Sequence, residues 1–442
     1  MRIILYITLL LLSTPLFAQN VELQDGHSAN VESPRANILP CSSAQEALGD
    51  KSEAMRYAIP VAGWQQEPSS DGVAFSSSFY SPFSWIGRQS FLSIAWASAP
   101  YTVYVGGLEV GRNMSPSSPA QFNVTRFAKS EADSPISIKL HRDPGAKGLD
   151  GWSTSDQLEL GDVVMLSQPT MYVRDVDVLV SRLSGVLNAS ISIRVKSELL
   201  NPRTSRINYE LESPDGKIVH RGFSDMQLDM RGEDEIFFSL IVPDSLAWSA
   251  KNPKLYRLNV STQYRGRYVE YLSFNIGLRS LEMSAGELMV NGEREQLKAI
   301  EVESAIGRSQ IEKLKAAGYN TLKVRAGVFS DVVYQIADSL GLYLIATAPI
   351  NSSKSGDNIF IGGNPSNDPE RLSEYVERCE SIYSATKLHA SVIAYDLADE
   401  SLNGINLYES YLYLKGRQND RPIIYLDGQG QWNSDRLDIQ LD

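Results

Sequence analysis

Two adjacent acidic residues, Asp399 and Glu400, directly follow an apolar run at 391–397 that has the pattern of a β-strand. Catalytic residues of barrel enzymes lie where such strands end. A second acid beside Glu400 either raises the pKa of that side chain or is a solvated loop charge. Taken alone, a glutamate at a strand end is a surface carboxylate more often than a catalyst. The chemistry of this pair therefore depends on the elements around it.

Other residue types give weaker signals. His141, His220 and His389 stand apart, without the spacing of metal ligands. Cys41 and Cys379 permit one disulfide in an oxidising compartment, but we interpret both as structural. Aromatic rings stack on sugar faces, although most tryptophans of β-sandwiches belong to the core. The tryptophans considered as binding platforms are Trp64, Trp85, Trp96, Trp152 and Trp432.

The N-terminus and the net charge restrict the compartment and the partners. Arg2 precedes a short apolar run at 3–12, and a small-residue stretch ends at Ala18. This pattern predicts a signal peptide at 1–18 and a periplasmic, secreted or cell-surface protein. No later run is long and apolar enough for a membrane span. The net charge of −12 argues against nucleic acid as a partner.

The rest of the chain divides into segments with different patterns. Residues 19–57 begin with a polar, aperiodic stretch that predicts a flexible leader. Short alternating runs separated by Gly, Pro and Ser predict antiparallel β-sandwiches over 58–174 and 175–280. From 281 to 442, predicted strands alternate with predicted helices, which indicates βα units and a parallel sheet. The first two strands are predicted at 297–302 and 321–324, and a later helix is predicted to start at Pro369 with Asp368 as its cap.

The order of these segments resembles that of glycoside hydrolase family 2, of the β-galactosidase type. Local phrases support the resemblance: VYVGGLEVG from Val103, WSAKNPKLY from Trp248 and FNIGLRSLE from Phe274. The resemblance implies a jelly-roll-like sugar-binding domain at 58–174 and an immunoglobulin-like β-sandwich at 175–280. It also implies an incomplete (β/α) TIM-type barrel at 281–442, with carbohydrate as the partner.

The same resemblance suggests roles for residues at the predicted strand ends. The run YDLADE, which ends at Glu400, stands where the family has WSLGNE, so Glu400 matches the acid/base glutamate. Asp399 stands where the family has an asparagine that holds the sugar. Glu303 and Lys323 replace a histidine and an arginine, and we predict that both, together with Asp399, bind substrate.

Two further features of the resemblance argue against catalysis. The positions of the family's magnesium ligands hold Asn351 and Ser353, which supply neither the anionic charge nor the imidazole of such a site. We therefore predict no cofactor. The sequence ends at Asp442, after five or six predicted strands and before the position of the family's nucleophilic glutamate. An open strand edge predicts a homo-oligomer or a partner chain that covers it.

These observations predict an exported β-galactosidase-like protein that binds carbohydrate and is catalytically defective. Two alternatives stay open. One is an active retaining glycoside hydrolase that cleaves β-galactosides or related glycosides. The other is a structural or scaffolding module of a larger assembly.

Overall fold

The computed structural model describes residues 28–49, 55–142, 149–150, 157–353, 363–417, 420–428 and 434–442. Two antiparallel β-sandwiches precede an open parallel sheet flanked by helices. The predicted fold class, two sandwiches followed by an incomplete barrel, is confirmed. The predicted signal peptide at 1–18 lies outside the described residues, as do Trp152 and Trp432.

The first sandwich consists of a four-stranded sheet, in the order β1-β9-β4-β7, and a five-stranded sheet, in the order β2-β3-β8-β5-β6. Alternating side chains from both sheets point into one shared core, because successive residues of a strand face opposite sides of the sheet. The strands are β1 (Ala58–Pro60), β2 (Gln65–Ser69), β3 (Gly72–Tyr80), β4 (Gln89–Ile94), β5 (Tyr101–Val105), β6 (Leu108–Asn113), β7 (Ala120–Asn123), β8 (Asp133–His141) and β9 (Val163–Gln168).

The second sandwich packs a three-stranded sheet, β10-β11-β14, against a four-stranded sheet, β13-β12-β15-β16. Its inward side chains form one continuous apolar core. The strands are β10 (Met171–Leu183), β11 (Val186–Ser197), β12 (Arg203–Glu212), β13 (Ile218–Leu228), β14 (Glu233–Val242), β15 (Tyr256–Tyr264) and β16 (Arg267–Ile276). A small antiparallel sheet follows, formed by β17 (Leu281–Ser284), β18 (Glu287–Val290) and β19 (Glu293–Glu295).

The C-terminal region is a six-stranded parallel sheet with helices on one face. Its elements are β20 (Leu297–Val302), α2 (Arg308–Ala316), β21 (Thr321–Val324), α3 (Asp331–Leu340), β22 (Tyr343–Thr347), α4 (Leu372–Thr386), β23 (Val392–Asp396), α5 (Ile405–Gly416), β24 (Ile423–Ile424) and β25 (Ile439–Leu441). Among the described residues, no helix combines the length and apolar character that a bilayer span requires.

The last strand, β25, does not pair with β24, the strand that precedes it in the sequence. β25 pairs in parallel with β20, so the spatial order is β24-β23-β22-β21-β20-β25. In a closed barrel of eight strands, the last strand lies beside the first. β25 therefore occupies the position of a final barrel strand. Within the described residues, β24 and β25 each pair with one neighbour only.

Apolar layers lie on both faces of the parallel sheet. The outer layer, which includes Leu322, Leu344 and Tyr395, packs against the helices. The inner layer includes Tyr343 and Ile345, and the small sheet β17–β19 covers its N-terminal end with further apolar side chains. The polar side chains of this inner face consequently lie at the opposite, C-terminal end of the strands.

The segment before the first sandwich is packed against the rest of the molecule over residues 28–49. Ala29 pairs with Arg112 of the first sandwich and Cys41 pairs with Tyr271 of the second. Ile38 is fully buried in the core of the second sandwich. A short helix, α1 (Ala44–Leu48), follows. This packing differs from the flexible leader that the polar composition predicts, because the segment buries its few apolar side chains at the domain surfaces.

Candidate functional site

Three charged side chains meet at the C-terminal end of the parallel sheet. Lys323, from β21, donates from Nζ to Oε2 of Glu301, on β20, at 3.2 Å. The same Nζ lies 3.8 Å from Oδ2 of Asp396, the last residue of β23. These residues converge, although they are far apart in the chain, because parallel strands bring their C-terminal ends to one edge.

Asp399 and Arg325 extend this group in the segments just after the strands. Asp399 is 4% exposed, and its backbone N–H donates to the carbonyl of Ile350 at 2.8 Å. Its Oδ2 lies 3.5 Å from Nε of Arg325, and its Oδ1 lies 3.8 Å from Nζ of Lys323. Both cations of the group therefore neutralise Asp399.

Glu400 lies at the open side of the group. Its side chain is 58% exposed, and Nη2 of Arg325 lies 4.0 Å from its Oε1. The amide Nδ2 of Asn351 donates to its Oε2 at 3.2 Å. Glu400 has a φ of +41°, which is uncommon for a residue with a Cβ and is a form of backbone strain that is also found at active sites. Asn351 and this backbone conformation direct the Glu400 carboxylate toward solvent.

Burial and mutual attraction shift the ionisation of the inner residues. Burial alone would lower the pKa of Lys323, but the charges of Asp396, Glu301 and Asp399 outweigh it and raise that pKa. Burial raises the pKa of Asp396 to about 7, against the attraction of Lys323. Burial also raises the pKa of Asp399. Lys323 is therefore fully charged at neutral pH, and Asp396 titrates close to pH 7.

The residues at the family's magnesium-ligand positions do not fit a magnesium ion. Asn351 directs its amide donor at Glu400, while its Oδ1 accepts from the backbone N–H and the hydroxyl of Ser353 at 3.0 and 2.5 Å. At this position an amide N–H, rather than an oxygen, faces Oε2 of Glu400, whereas magnesium takes oxygen ligands in a near-octahedral arrangement. Within the described residues, no cluster of three or more His, Cys, Asp or Glu side chains has the arrangement of a metal site.

Glu303 is not part of the charged group. No hydrogen bond or ion pair between described residues joins it to Lys323 or Glu400. It is exposed and lines a neighbouring groove of about 540 Å³ between β20 and α2. Glu301 lines the same groove, together with the apolar side chains of Ile300, Val302, Ile306 and Leu314. The charged group and the groove are therefore continuous through Glu301.

The first domain reaches the site through residues 149–150. The backbone N–H of Asn351 donates to the carbonyl of Leu149 at 2.7 Å, and Asp150 forms a parallel β-bridge with Asn351. Arg378, buried on α4, holds Asp150 with two hydrogen bonds of 2.7 and 2.9 Å. The loop rich in Gly and Ser that follows Asp150 lies outside the described residues.

Sequence reasoning found part of this site. It selected Glu400, Asp399 and Lys323, which the fold brings together, and Asn351, which contacts Glu400. It missed Glu301, Arg325 and Asp396. The spacing could have drawn attention to Arg325, two residues after Lys323, whereas Glu301 and Asp396 give no signal apart from the fold.

Several other candidates, among the described residues, have structural surroundings. Trp85 is buried in the core of the first sandwich, and Trp64 packs against the same core. His389 is held by two aspartates inside the C-terminal region. Cys41 and Cys379 are buried in different apolar cores.

Several β-galactosidases are similar to this chain in sequence. The chain is 24% identical over 365 residues to a β-galactosidase of Priestia megaterium, which covers 77% of this chain and 35% of that protein. It is 25% identical over 291 residues to a β-galactosidase of Pseudoalteromonas haloplanktis, which covers 60% of this chain and 27% of that protein. The chain thus spans about a third of the length of the curated relatives that it matches.

Solved structures share the fold at low sequence identity. A β-glucuronidase of Bacteroides uniformis superposes with a TM-score of 0.68 at 14% identity, over 90% of this chain and 52% of that chain. A putative β-galactosidase of Bacteroides fragilis superposes with a TM-score of 0.68 at 14% identity, over 89% of this chain and 63% of that chain.

Two profiles of one family match the chain, and together they span more than half of it. Residues 171–279 match "Glycosyl hydrolases family 2" and residues 298–441 match "Glycosyl hydrolases family 2, TIM barrel domain". These two regions are the second sandwich and the parallel sheet with its helices. The chain therefore belongs to glycoside hydrolase family 2, in agreement with the resemblance seen in its sequence.

Proposed function

We propose that this chain is an exported carbohydrate-binding protein of glycoside hydrolase family 2 that does not hydrolyse glycosides. Its similarity to β-galactosidases supports carbohydrate as the ligand class. The charged residues at the ends of β20, β21 and β23 form the proposed binding site. The signal-peptide pattern at 1–18 supports export to the periplasm, the cell surface or the medium.

The side chain and the surroundings of Asp399 are the main support for this proposal. Asparagine at this family position would offer an N–H donor to a sugar, whereas a carboxylate only accepts hydrogen bonds. Asp399 is also buried and faces Lys323 and Arg325 rather than open space. A residue used for substrate positioning in the family has become part of an internal ionic group. Loss of this contact should impair catalysis, since small misplacements of a substrate lower reaction rates by orders of magnitude.

Glu400 alone does not restore hydrolysis. A retaining glycosidase needs two carboxyl groups about 5–5.5 Å apart, one of which attacks the sugar. The other carboxylates near Glu400, Asp399 and Glu301, are both engaged by Lys323 and Arg325. We also infer that the protein needs no magnesium, since Asn351 accepts hydrogen bonds from Ser353 and donates one to Glu400.

One observation favours an active hydrolase as the second candidate. Glu400 keeps an accessible carboxylate at a barrel strand end, in a strained backbone conformation of the kind found at functional sites. A structural module is favoured by the two edge strands of the sheet, β24 and β25, which a second copy or a partner chain could cover.

The test combines turnover with binding on one purified preparation. We expect no hydrolysis of nitrophenyl β-galactoside, β-glucuronide or β-mannoside, with or without millimolar magnesium. Calorimetry should detect sugar binding that Glu400→Gln weakens roughly tenfold, the effect of one charged hydrogen bond. Glu282→Gln is the matched control, because Glu282 is exposed on β17 at the other end of the sheet.

The three candidate functions give different results in this test. Turnover that is lost in Glu400→Gln but kept in Glu282→Gln would establish the hydrolase and reject the proposal. Absence of both turnover and binding would favour the structural module. Magnesium-dependent turnover would also contradict the inference about the metal.

A further inference from the structure

The charged group at the strand ends contains more carboxylates than cations. Every member lies within 4.0 Å of at least one group of opposite charge. The carboxylates are Glu301, Asp396, Asp399 and Glu400, and the cations are Lys323 and Arg325. The pKa of Asp396 is also raised by the neighbouring charge of Asp427, which adds to the negative field. With all groups ionised, the site carries an excess of negative charge.

Each cation already lies near three carboxylates, Lys323 in a buried position and Arg325 with 39% of its side chain exposed. Lys323 Nζ lies 3.2 Å from Glu301, 3.8 Å from Asp396 and 3.8 Å from Asp399. Arg325 likewise lies 3.5 Å from Asp399, 3.8 Å from Glu301 and 4.0 Å from Glu400. A ligand carboxylate would have to compete with three protein carboxylates for either cation. The site is therefore poorly suited to an anionic sugar.

The group is also short of hydrogen-bond donors. Among the described residues, Oδ2 of Asp396 and Oδ2 of Asp399 have no hydrogen-bond partner, although the two side chains are 1% and 4% exposed. Both oxygens face the centre of the group, where Lys323 and Arg325 lie at 3.8 and 3.5 Å. Buried oxygens without donors are unfavourable, and a ligand that brings donors and positive charge relieves the deficit.

We propose that this site prefers a sugar with a protonated amine over the neutral sugar, and disfavours a sugar with a carboxylate. The inference rests on the proposed sugar binding and specifies its ligand class. Glu400 and Glu301 are the carboxylates that a ligand meets first, because their side chains are 58% and 37% exposed. An ammonium group donates up to three hydrogen bonds and adds one positive charge between them.

The test compares three sugars that differ in one substituent. D-galactosamine, D-galactose and D-galacturonate are titrated into the full-length protein by calorimetry, at pH 6.5 and low ionic strength. We expect galactosamine to bind roughly fivefold more tightly than galactose, the effect of one unit-charge pair at 4 Å in water. Galacturonate should bind more weakly than galactose by a similar factor. In 0.5 M salt both preferences should shrink from about fivefold to about twofold, because salt screens exposed charges.

Substitutions test whether the carboxylates of Glu301 and Glu400 cause the preference for the protonated amine. Glu301→Gln and Glu400→Gln should each reduce the preference for galactosamine over galactose, while Glu282→Gln should leave it unchanged. Galacturonate binding equal to or tighter than that of galactose would overturn the inference and leave sugar binding intact. Equal affinity for all three sugars would do the same. Binding of none of the three would reject the proposed function and this inference together.

Discussion

Asp399 places a carboxylate where the family has an asparagine, and this carboxylate forms ion pairs with two neighbouring cations. A buried carboxylate requires compensating charge, because transfer of an ion from water into a protein is costly. Lys323 and Arg325 provide that charge from the end of β21. The two cations are consequently engaged within the protein. In the resulting ionic group the carboxylate of Glu400 is accessible to solvent, whereas its neighbours form ion pairs with one another.

His389 shows the same dependence on charge compensation outside the site. Its Nδ1 lies 2.6 Å from Asp338 and its Nε2 lies 3.2 Å from Asp331. Burial alone would lower the pKa of His389, but these two carboxylates outweigh it and raise the pKa to about 10. The imidazole is therefore charged in the folded protein at neutral pH and neutral in much of the unfolded chain above its usual value of 6.5.

The His389 ion pairs predict a pH-dependent stability. The folded state holds the proton more tightly than the unfolded chain, so the contribution is complete below pH 6.5 and is lost as pH rises through about 10. His389→Gln should lower the free energy of unfolding by about 3–5 kcal/mol at pH 6, because the buried Asp338 and the partly buried Asp331 lose their partner. Urea denaturation at a series of pH values measures both effects.

His220 provides the control for this measurement. Its ring stacks on Phe238 with centroids 4.6 Å apart, so His220→Gln removes a ring contact without removing a buried ion pair. We expect a smaller loss of stability, of about 1 kcal/mol. A His389→Gln variant that kept the pH dependence of the native protein would contradict the assignment of that dependence to His389.

At the scale of elements, local sequence patterns predicted the strands well and their spatial order incompletely. The predicted strands at 297–302 and 321–324 coincide with β20 and β21. The position of β25 beside β20 was not predictable, because pairing between distant strands leaves no local pattern. The helix expected to start at Pro369 starts later. Asp368 caps a single 3-10 turn at Pro369–Arg371, and α4 begins at Leu372.

The candidate site was predictable where the family has a recognisable motif. Glu400 and Asp399 follow a strand whose sequence resembles the family phrase, and Lys323 aligns with a family arginine. Glu301 and Asp396 required the fold, since their roles arise from contacts with Lys323 across neighbouring strands. The packing of residues 28–49 was missed for a similar reason. A polar segment with a few apolar residues has no periodicity, and the surfaces that it covers belong to other elements.

Arg378 links helix α4 to the first domain. Arg378 is 1% exposed and bonds to the carboxylate of Asp150 through both Nη atoms. It also donates to the carbonyls of Pro349 and Met114 at 2.6 and 2.7 Å. The nearby carboxylates, of which Asp150 contributes most, outweigh burial and raise the pKa of Arg378. One guanidinium thus joins α4, the segment after β22 and two segments of the first domain.

Arg378→Lys should weaken this junction although it keeps the charge. A lysine ammonium cannot reproduce the planar, two-pronged contact with a carboxylate while also reaching two carbonyls. We expect a loss of about 2–4 kcal/mol of unfolding free energy, within the range for broken buried charge pairs. The amide of Asn351, which donates to Leu149, should exchange its hydrogen faster.

A nearby arginine serves as the comparison for Arg378. Arg371 is less buried and forms an ion pair with Glu374 at 2.7 Å. Arg371→Lys should cost less than Arg378→Lys, because a lysine ammonium can keep the pairing with Glu374, which also retains Arg378 as a partner. Equal effects of the two substitutions would contradict the role assigned to Arg378.

At the scale of the whole molecule, buried polar contacts link the second sandwich to the parallel sheet. The indole of Trp248 donates to the carbonyl of Asp338 at 2.9 Å. Arg279 donates to the carbonyls of Ala390 and Val392, both at 2.6 Å. Lys387, just after α4, is the third contact of this kind. Domains joined by buried and mutually satisfied groups are expected to unfold together rather than independently.

Lys387→Met should partly separate the unfolding of the two regions. Nζ of Lys387 lies 2.6 Å from both Asp175 and Asp177 on β10, and methionine keeps the apolar stem while it removes the charge. The buried Asp175 would lose its countercharge, which should cost about 3–5 kcal/mol. In scanning calorimetry we expect the transition to broaden or split, with the parallel-sheet region melting first.

Lys415→Met, which removes an exposed ion pair with Asp435, should change stability by less than about 1 kcal/mol. A Lys387→Met variant with the native transition midpoint and width would show that this contact does not couple the two regions.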